Sequence, residues 1–139
     1  MTRAVLDASA LLGVLLRERG SEVVAPVLYG ALVSAVNYSE VFKQAIAHRG
    51  DVQEIAQLLD RQALQVIPFD RTRAIAAAEL LPLTSPQGLS FADRACLATG
   101  REFGLPVFTA EARMGLTELE IAVTVIRQQT VSKQEGSPI

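Results

Sequence analysis

A chain of 139 residues, half apolar and a fifth charged, has room for one domain with a real core, not two, and is too apolar for a disordered protein. Its formal net charge is -2, and its 13 basic residues are spread thinly, which counts against tight, non-specific nucleic-acid binding. Cys96 and His48 are single representatives of their types, so a disulfide framework and a thiolate zinc site are excluded, and no G-x-S-x-G signature supports a Ser-His-Asp triad.

In chain order, Arg3 to Leu6 is a short apolar run that reads as a buried strand ending at Asp7. Ser9 to Leu16 is helical, and Ser21 caps a second helix through Leu28, with Pro26 arguing against it. Ala31 to Ser34 is a strand, and Asn37 to His48 is a helix with Tyr38, Val41, Phe42 and Ala45 on one face. Asp51 to Leu59 repeats the helical pattern, Leu64 to Phe69 is β-like, and Asp70 caps an alanine-rich helix through Leu81. Pro86 and Gly88 make Leu83 to Leu89 a loop. Ser90 opens an apolar helix to Phe103, closed by Gly104 and Pro106; Val107 to Thr109 and Ile121 to Ile126 are strands around a short irregular turn at Glu111 to Leu116. Residues 1–127 are expected to form the single domain, and 128–139 a polar, frayed tail. No apolar stretch reaches the ~20 residues of a membrane span, and the N-terminal residues are expected to lead directly into a strand without the hydrophobic region of a signal peptide. A soluble, cytoplasmic protein without membrane contact is expected.

Strands alternate with helices, and the strands are continuous apolar runs. That pattern predicts an α/β fold, a three-layer α/β/α sandwich with a mainly parallel central sheet. Sites in such folds form beyond the carboxyl ends of the strands. Four acids fall there: Asp7 after the first strand, Glu40 in the helix after the second, Asp93 in the first turn of the helix at Ser90, and Glu111 just past Thr109. Carboxylates ~5 Å apart repel by ~3 kcal/mol at an effective dielectric of about 20, so a cluster must take up protons or bind cations. All-oxygen ligands suit Mg²⁺ or Mn²⁺.

The segments Val5-Leu6-Asp7-Ala8-Ser9, Val36-Asn37-Tyr38-Ser39-Glu40-Val41, Leu89-Ser90-Phe91-Ala92-Asp93-Arg94 and Leu105-Pro106-Val107-Phe108-Thr109-Ala110-Glu111 resemble the four acidic motifs of PIN domains. Their order and the chain length are most similar to the VapC-type toxins of bacterial toxin–antitoxin pairs. The resemblance implies a Mg²⁺- or Mn²⁺-dependent endoribonuclease acting on RNA, a homodimer, and a cognate antitoxin that blocks the site. It carries Asp7, Glu40 and Asp93 over as catalytic metal ligands and Ser9 and Thr109 as supporting hydroxyls. Glu111 stands where the family usually has Asp, and is assigned a second-metal or water-mediated role. Arg94, Arg17 and Arg113 are candidate phosphate contacts, since a guanidinium matches phosphate oxygens.

Each acid also has a plain structural reading. Asp7 can cap the helix after the first strand, Ser90 and Asp93 can form a capping box, Glu40 can pair with Lys43, and Glu111 can be a solvated loop charge. These readings explain the acids singly but not their common edge. Asp70 is taken as an N-cap and left out of the site; Cys96 reads as a buried apolar group, and His48 as a helix-end residue. Two rivals remain. A receiver-type phosphoacceptor domain would need an acidic pair after the first strand and a Lys near the last, and Asp7 is unpaired. A non-catalytic PIN-like domain is kept open by the altered fourth motif.

Overall fold

The computed structural model describes residues 3–127. The segment expected to be a polar tail lies outside these described residues. Five strands form one sheet: β1 Val5–Leu6, β2 Leu32–Ser34, β3 Gln65–Ile67, β4 Val107–Thr109 and β5 Val123–Val125, in the order β3-β2-β1-β4-β5. All four pairings are parallel. The helices are α1 Ala8–Leu15, α2 Ser21–Leu28, α3 Ala35–Ala47, α4 Val52–Asp60, α5 Arg71–Glu79, α6 Leu81–Thr84 and α7 Phe91–Phe103.

Because side chains alternate across a strand, neighbouring strand residues enter different cores. Ala4, Leu6, Val33 and Phe108 pack with Leu11, Val24, Val41 and Leu59 of α1 to α4. Val5, Leu32, Ile67 and Val107 pack on the other face with Leu80, Cys96, Leu97 and Met114. The result is the expected α/β/α sandwich. The central strands β1, β2 and β4, buried on both faces, need no polar alternation, which is why they read as apolar runs.

The chain moves outward from β1 to β2 and β3, then returns to place β4 on β1's other side. The direction therefore switches between β1 and β4, where open parallel sheets form their ligand crevice. Asp7 and Thr109 stand at that point. Close packing under the crevice requires Gly100 of α7, because a Cβ there would lie 2.5 Å from Val107 Cγ2.

Three expectations are corrected. Leu83 to Leu89 is not simple loop: α6 runs to Thr84 and a 3₁₀ turn covers Ser85–Gln87. Pro82 sits in the first turn of α6, where a missing N–H costs nothing, and Thr84 Oγ1 donates to Leu80 O at 2.8 Å. The second helix runs through Leu28 as expected, Pro26 removing one bond at most near its end, but its N-cap is Gly20, not Ser21. The third helix begins at Ala35, capped by Ser34, whose Oγ accepts from Val36 N at 3.2 Å.

Candidate metal centre

Asp7 follows β1 directly and is 5% exposed. Its Oδ1 accepts from Ser9 Oγ at 2.7 Å and Ala10 N at 2.9 Å, so it is also the N-cap of α1. Its Oδ2 accepts from Thr109 Oγ1 at 2.5 Å. The hydroxyls in turn accept from the chain after β4: Ser9 Oγ from Ala110 N at 2.8 Å, and Thr109 Oγ1 from Glu111 N at 2.9 Å. Ser9 and Thr109 thus fix the carboxylate and stitch the ends of β1 and β4 together. Burial pushes the Asp7 carboxyl up from 3.8 to about 6; the bonds from Thr109, Ser9 and Ala10 oppose that rise, and the Asp93 charge adds to it. A carboxyl in this state favours either a proton or a cation beside it.

Glu40 lies on α3 and is half-buried. Its Oε1 accepts from Asn37 Nδ2 at 3.2 Å, and the same amide donates to Ala92 O at 3.1 Å. Asn37 is 1% exposed and was absent from the sequence-based site; a polar side chain three residues before Glu40 on an otherwise apolar helix face was its signal. It ties Glu40 to the residue before Asp93. Its Oδ1 is buried without a protein partner.

Asp93 forms the capping box in full. Its Oδ2 accepts from Ser90 N at 2.9 Å, while Ser90 Oγ accepts from Asp93 N at 3.2 Å. One carboxylate oxygen is thereby committed to the helix end. Next to it, Arg94 donates from Nη1 to Leu89 O at 3.3 Å, and its Nε is buried without a partner.

Asp7, Asp93 and Glu40 each lie near enough to Cys96, buried on α7, for their charges to be felt there. Burial first, then the charges of Asp7, Asp93 and Glu40, hold the Cys96 thiol well above its usual range. Cys96 is therefore inert core, as expected. Glu111 is bound differently: both its oxygens face Arg113, Oε1 accepting from Nη2 and Oε2 from Nε, each at 2.9 Å. Those Arg113 hydrogen bonds hold the Glu111 carboxyl below its usual range. Arg17 is not brought to the crevice. It is exposed past the far end of α1, on the order of 12 Å along the helix from Asp7. Asp70 caps α5 and meets Arg73, which pairs with Glu102, in keeping with its exclusion.

Among the described residues, no three His, Cys, Asp or Glu side chains stand close enough to enclose a metal ion. The donors nevertheless fit a hard divalent cation. All are oxygens, one carboxylate is buried with a raised pKa, and an unpartnered amide oxygen lies on the residue beside Glu40. Mg²⁺ keeps several waters and needs only one or two direct carboxylates, so it does not require the closed cage of protein ligands that a structural zinc site uses.

The sequence profile described as "PIN domain" matches residues 4–118. The chain belongs to the PIN-domain family. This PIN domain also resembles solved structures from several bacteria. A toxin–antitoxin complex from Klebsiella pneumoniae matches with TM-score 0.74 and 16% identity, over 91% of this chain and 99% of that one. VapC20 of Mycobacterium tuberculosis, described as a sarcin-ricin loop cleaving toxin, matches with TM-score 0.65 and 15% identity, over 81% and 93%. DNA-bound VapBC of Salmonella typhimurium matches with TM-score 0.66 and 16% identity, over 89% and 98%. At these identities the likeness is one of fold. No curated protein matches the sequence. Among the described residues, no helix is long and apolar enough to cross a membrane.

Proposed function

We propose that this PIN domain is the VapC-type toxin of a toxin–antitoxin pair, a Mg²⁺- or Mn²⁺-dependent endoribonuclease that hydrolyses RNA phosphodiester bonds. The observation that carries the reading is Asp7: a buried carboxyl at the sheet's switch point, stitched to β4 by two hydroxyls, with the Asp93 charge acting on it. Asp7, Glu40 and Asp93 would hold the cation. When bound, a divalent ion lowers the pKa of water and neutralises charge building on a phosphate. The chain's own part is orientation. Ser9 and Thr109 fix both Asp7 oxygens, Asn37 fixes Glu40, and the Ser90 box leaves one Asp93 oxygen for the site. Arg94, next to Asp93, is a candidate phosphate contact. RNA is favoured over DNA by the likeness to a toxin described as cleaving the sarcin-ricin loop.

An antitoxin partner is supported by two features. Structural neighbours include a toxin–antitoxin complex, and an apolar cavity of about 600 Å³, lined by Leu12, Leu15, Leu16, Ala45 and Ile55, opens beside Ser9. A segment seated there would lie against Ser9, whose hydroxyl donates to Asp7. The reading also carries a homodimer and a cytoplasmic location; light scattering tests the first.

The functional test incubates the purified chain with a mixed RNA pool, with Mn²⁺ or EDTA. Cleavage in Mn²⁺ that stops with EDTA and is absent in Asp7→Asn is expected. Mn²⁺ binding without cleavage of any RNA would favour the second reading, a non-catalytic PIN-like domain. That reading draws on Glu111, whose oxygens are both taken by Arg113.

A further inference from the structure

We propose that Arg113 grips the phosphate backbone of the substrate and that Glu111 is the holder of Arg113, not a cation ligand. This rests on the nuclease reading and adds how the backbone of the nucleic acid is held. Glu111 Oε2 accepts from Arg113 Nε and from its backbone N, and Oε1 accepts from Nη2, each at 2.9 Å. From another side, Arg113 Nη1 donates to Gln87 O at 3.4 Å and Gly88 O at 3.3 Å. A guanidinium tethered through all three nitrogens cannot swing with its stem, and its planar fork is set in advance.

The 87–88 segment is shaped for this approach. Gly88 has a φ of +70°, a left-handed conformation that disfavours other residues, and a Cβ there would lie 3.3 Å from Nη1. The chain then passes through Leu89 to Ser90, the cap of α7, and so to Asp93. Arg113 thus stands between the fourth acid and the third, close enough that the Asp93 charge adds to that of Glu111 in stabilising the cation. Its side chain is 52% exposed. Of its five N–H donors, four at most meet protein oxygens in these contacts, so at least one is left for a phosphate oxygen.

The same contacts argue against Glu111 as a ligand. A cation drawing on its carboxylate would have to break a two-pronged ion pair and strip the cap from the turn at Ala112–Leu116, where Glu111 receives Arg113 N.

The test uses the full chain and two measurements besides cleavage. Calorimetric titration with Mn²⁺, without RNA, is expected to give a Kd for Glu111→Gln within about threefold of wild type; losing a group that supports the ion weakens binding roughly 10–100-fold. Affinity for a short single-stranded RNA, measured in EDTA over a range of salt, is expected to lose about 0.7 from its log–log salt slope in Arg113→Ala. Arg113→Lys is expected to keep that slope yet lose on the order of 10²-fold in kcat, because a point charge cannot replace the fork. Melting temperatures close to wild type for all three variants exclude a merely structural role. Weakening of Mn²⁺ binding by tenfold or more in Glu111→Gln, or an unchanged salt slope in Arg113→Ala, would overturn the proposal while leaving the nuclease reading intact. A wild type that neither binds Mn²⁺ nor cleaves RNA overturns both.

Discussion

Asp7→Asn should stabilise the metal-free protein. The Asp7 carboxyl titrates at about 6 against an ordinary value of 3.8, a difference of about 3 kcal/mol at 1.36 kcal/mol per pKa unit. The sign follows from linkage. The folded state holds this proton more tightly than the unfolded chain, so the stabilising contribution is complete below pH 3.8 and is lost as pH rises through about 6. At pH 7.5 the ionised group therefore weakens the fold by up to about 3 kcal/mol relative to a neutral one. The amide of Asn is neutral throughout, its oxygen can accept from Ser9 and Ala10, and the Thr109 hydroxyl can reverse to accept from its nitrogen.

Thermal unfolding in EDTA at pH 7.5 should show the variant melting above wild type by up to about 12 °C, at about 4 °C per kcal/mol for a domain of this size. The gap should close as pH is lowered toward 4. Millimolar Mn²⁺ should raise wild type, because a ligand that binds only the native state stabilises it, and should raise the variant far less. A variant that melts below wild type in EDTA at pH 7.5 would refute the reasoning, for it would make the Asp7 charge a structural helix cap and not a desolvated group awaiting a cation.

Three further outcomes follow from single contacts. Asn37→Ala removes the link between Glu40 and Ala92 O from a fully buried position, and urea unfolding should show a loss of about 2 kcal/mol with a fall in RNA cleavage. Ser90→Ala strips the cap from α7; chemical denaturation should show about 1 kcal/mol lost. Gly100→Val drives a side chain into Val107, 2.5 Å from the Cβ position, and should lower stability by roughly 1–3 kcal/mol or more, read as a drop in melting temperature with no change in Mn²⁺ affinity per folded molecule.

The parallel sheet was legible because burial on both faces of its central strands writes itself into the sequence as uninterrupted apolar runs, and that topology puts Asp7 directly after β1 at the switch point. The hydrogen bonds of the acids were less accessible. Asp93 completes a capping box despite being shorter than Glu, because only local helix geometry decides that reach. Glu111 was read toward a metal, whereas Arg113 two residues on turns back to hold it, a pairing set by the 3₁₀ turn between them. Arg17 was read near the crevice since the sequence does not show on which side α1 ends; Arg17 takes a φ of +55° there, exposed to solvent. Pro86 and Gly88 hid a helical segment because Pro in a first turn and Gly after a last one also bound short helices.

The most direct test of the central claim is anomalous diffraction at the manganese edge from crystals soaked in Mn²⁺. The account predicts a peak in the crevice between β1 and β4, with a carboxylate oxygen of Asp7 in its coordination sphere and Glu40 and Asp93 reaching it directly or through water. A peak held by Glu111 without Asp7, or no peak in that crevice at saturating Mn²⁺, would contradict it.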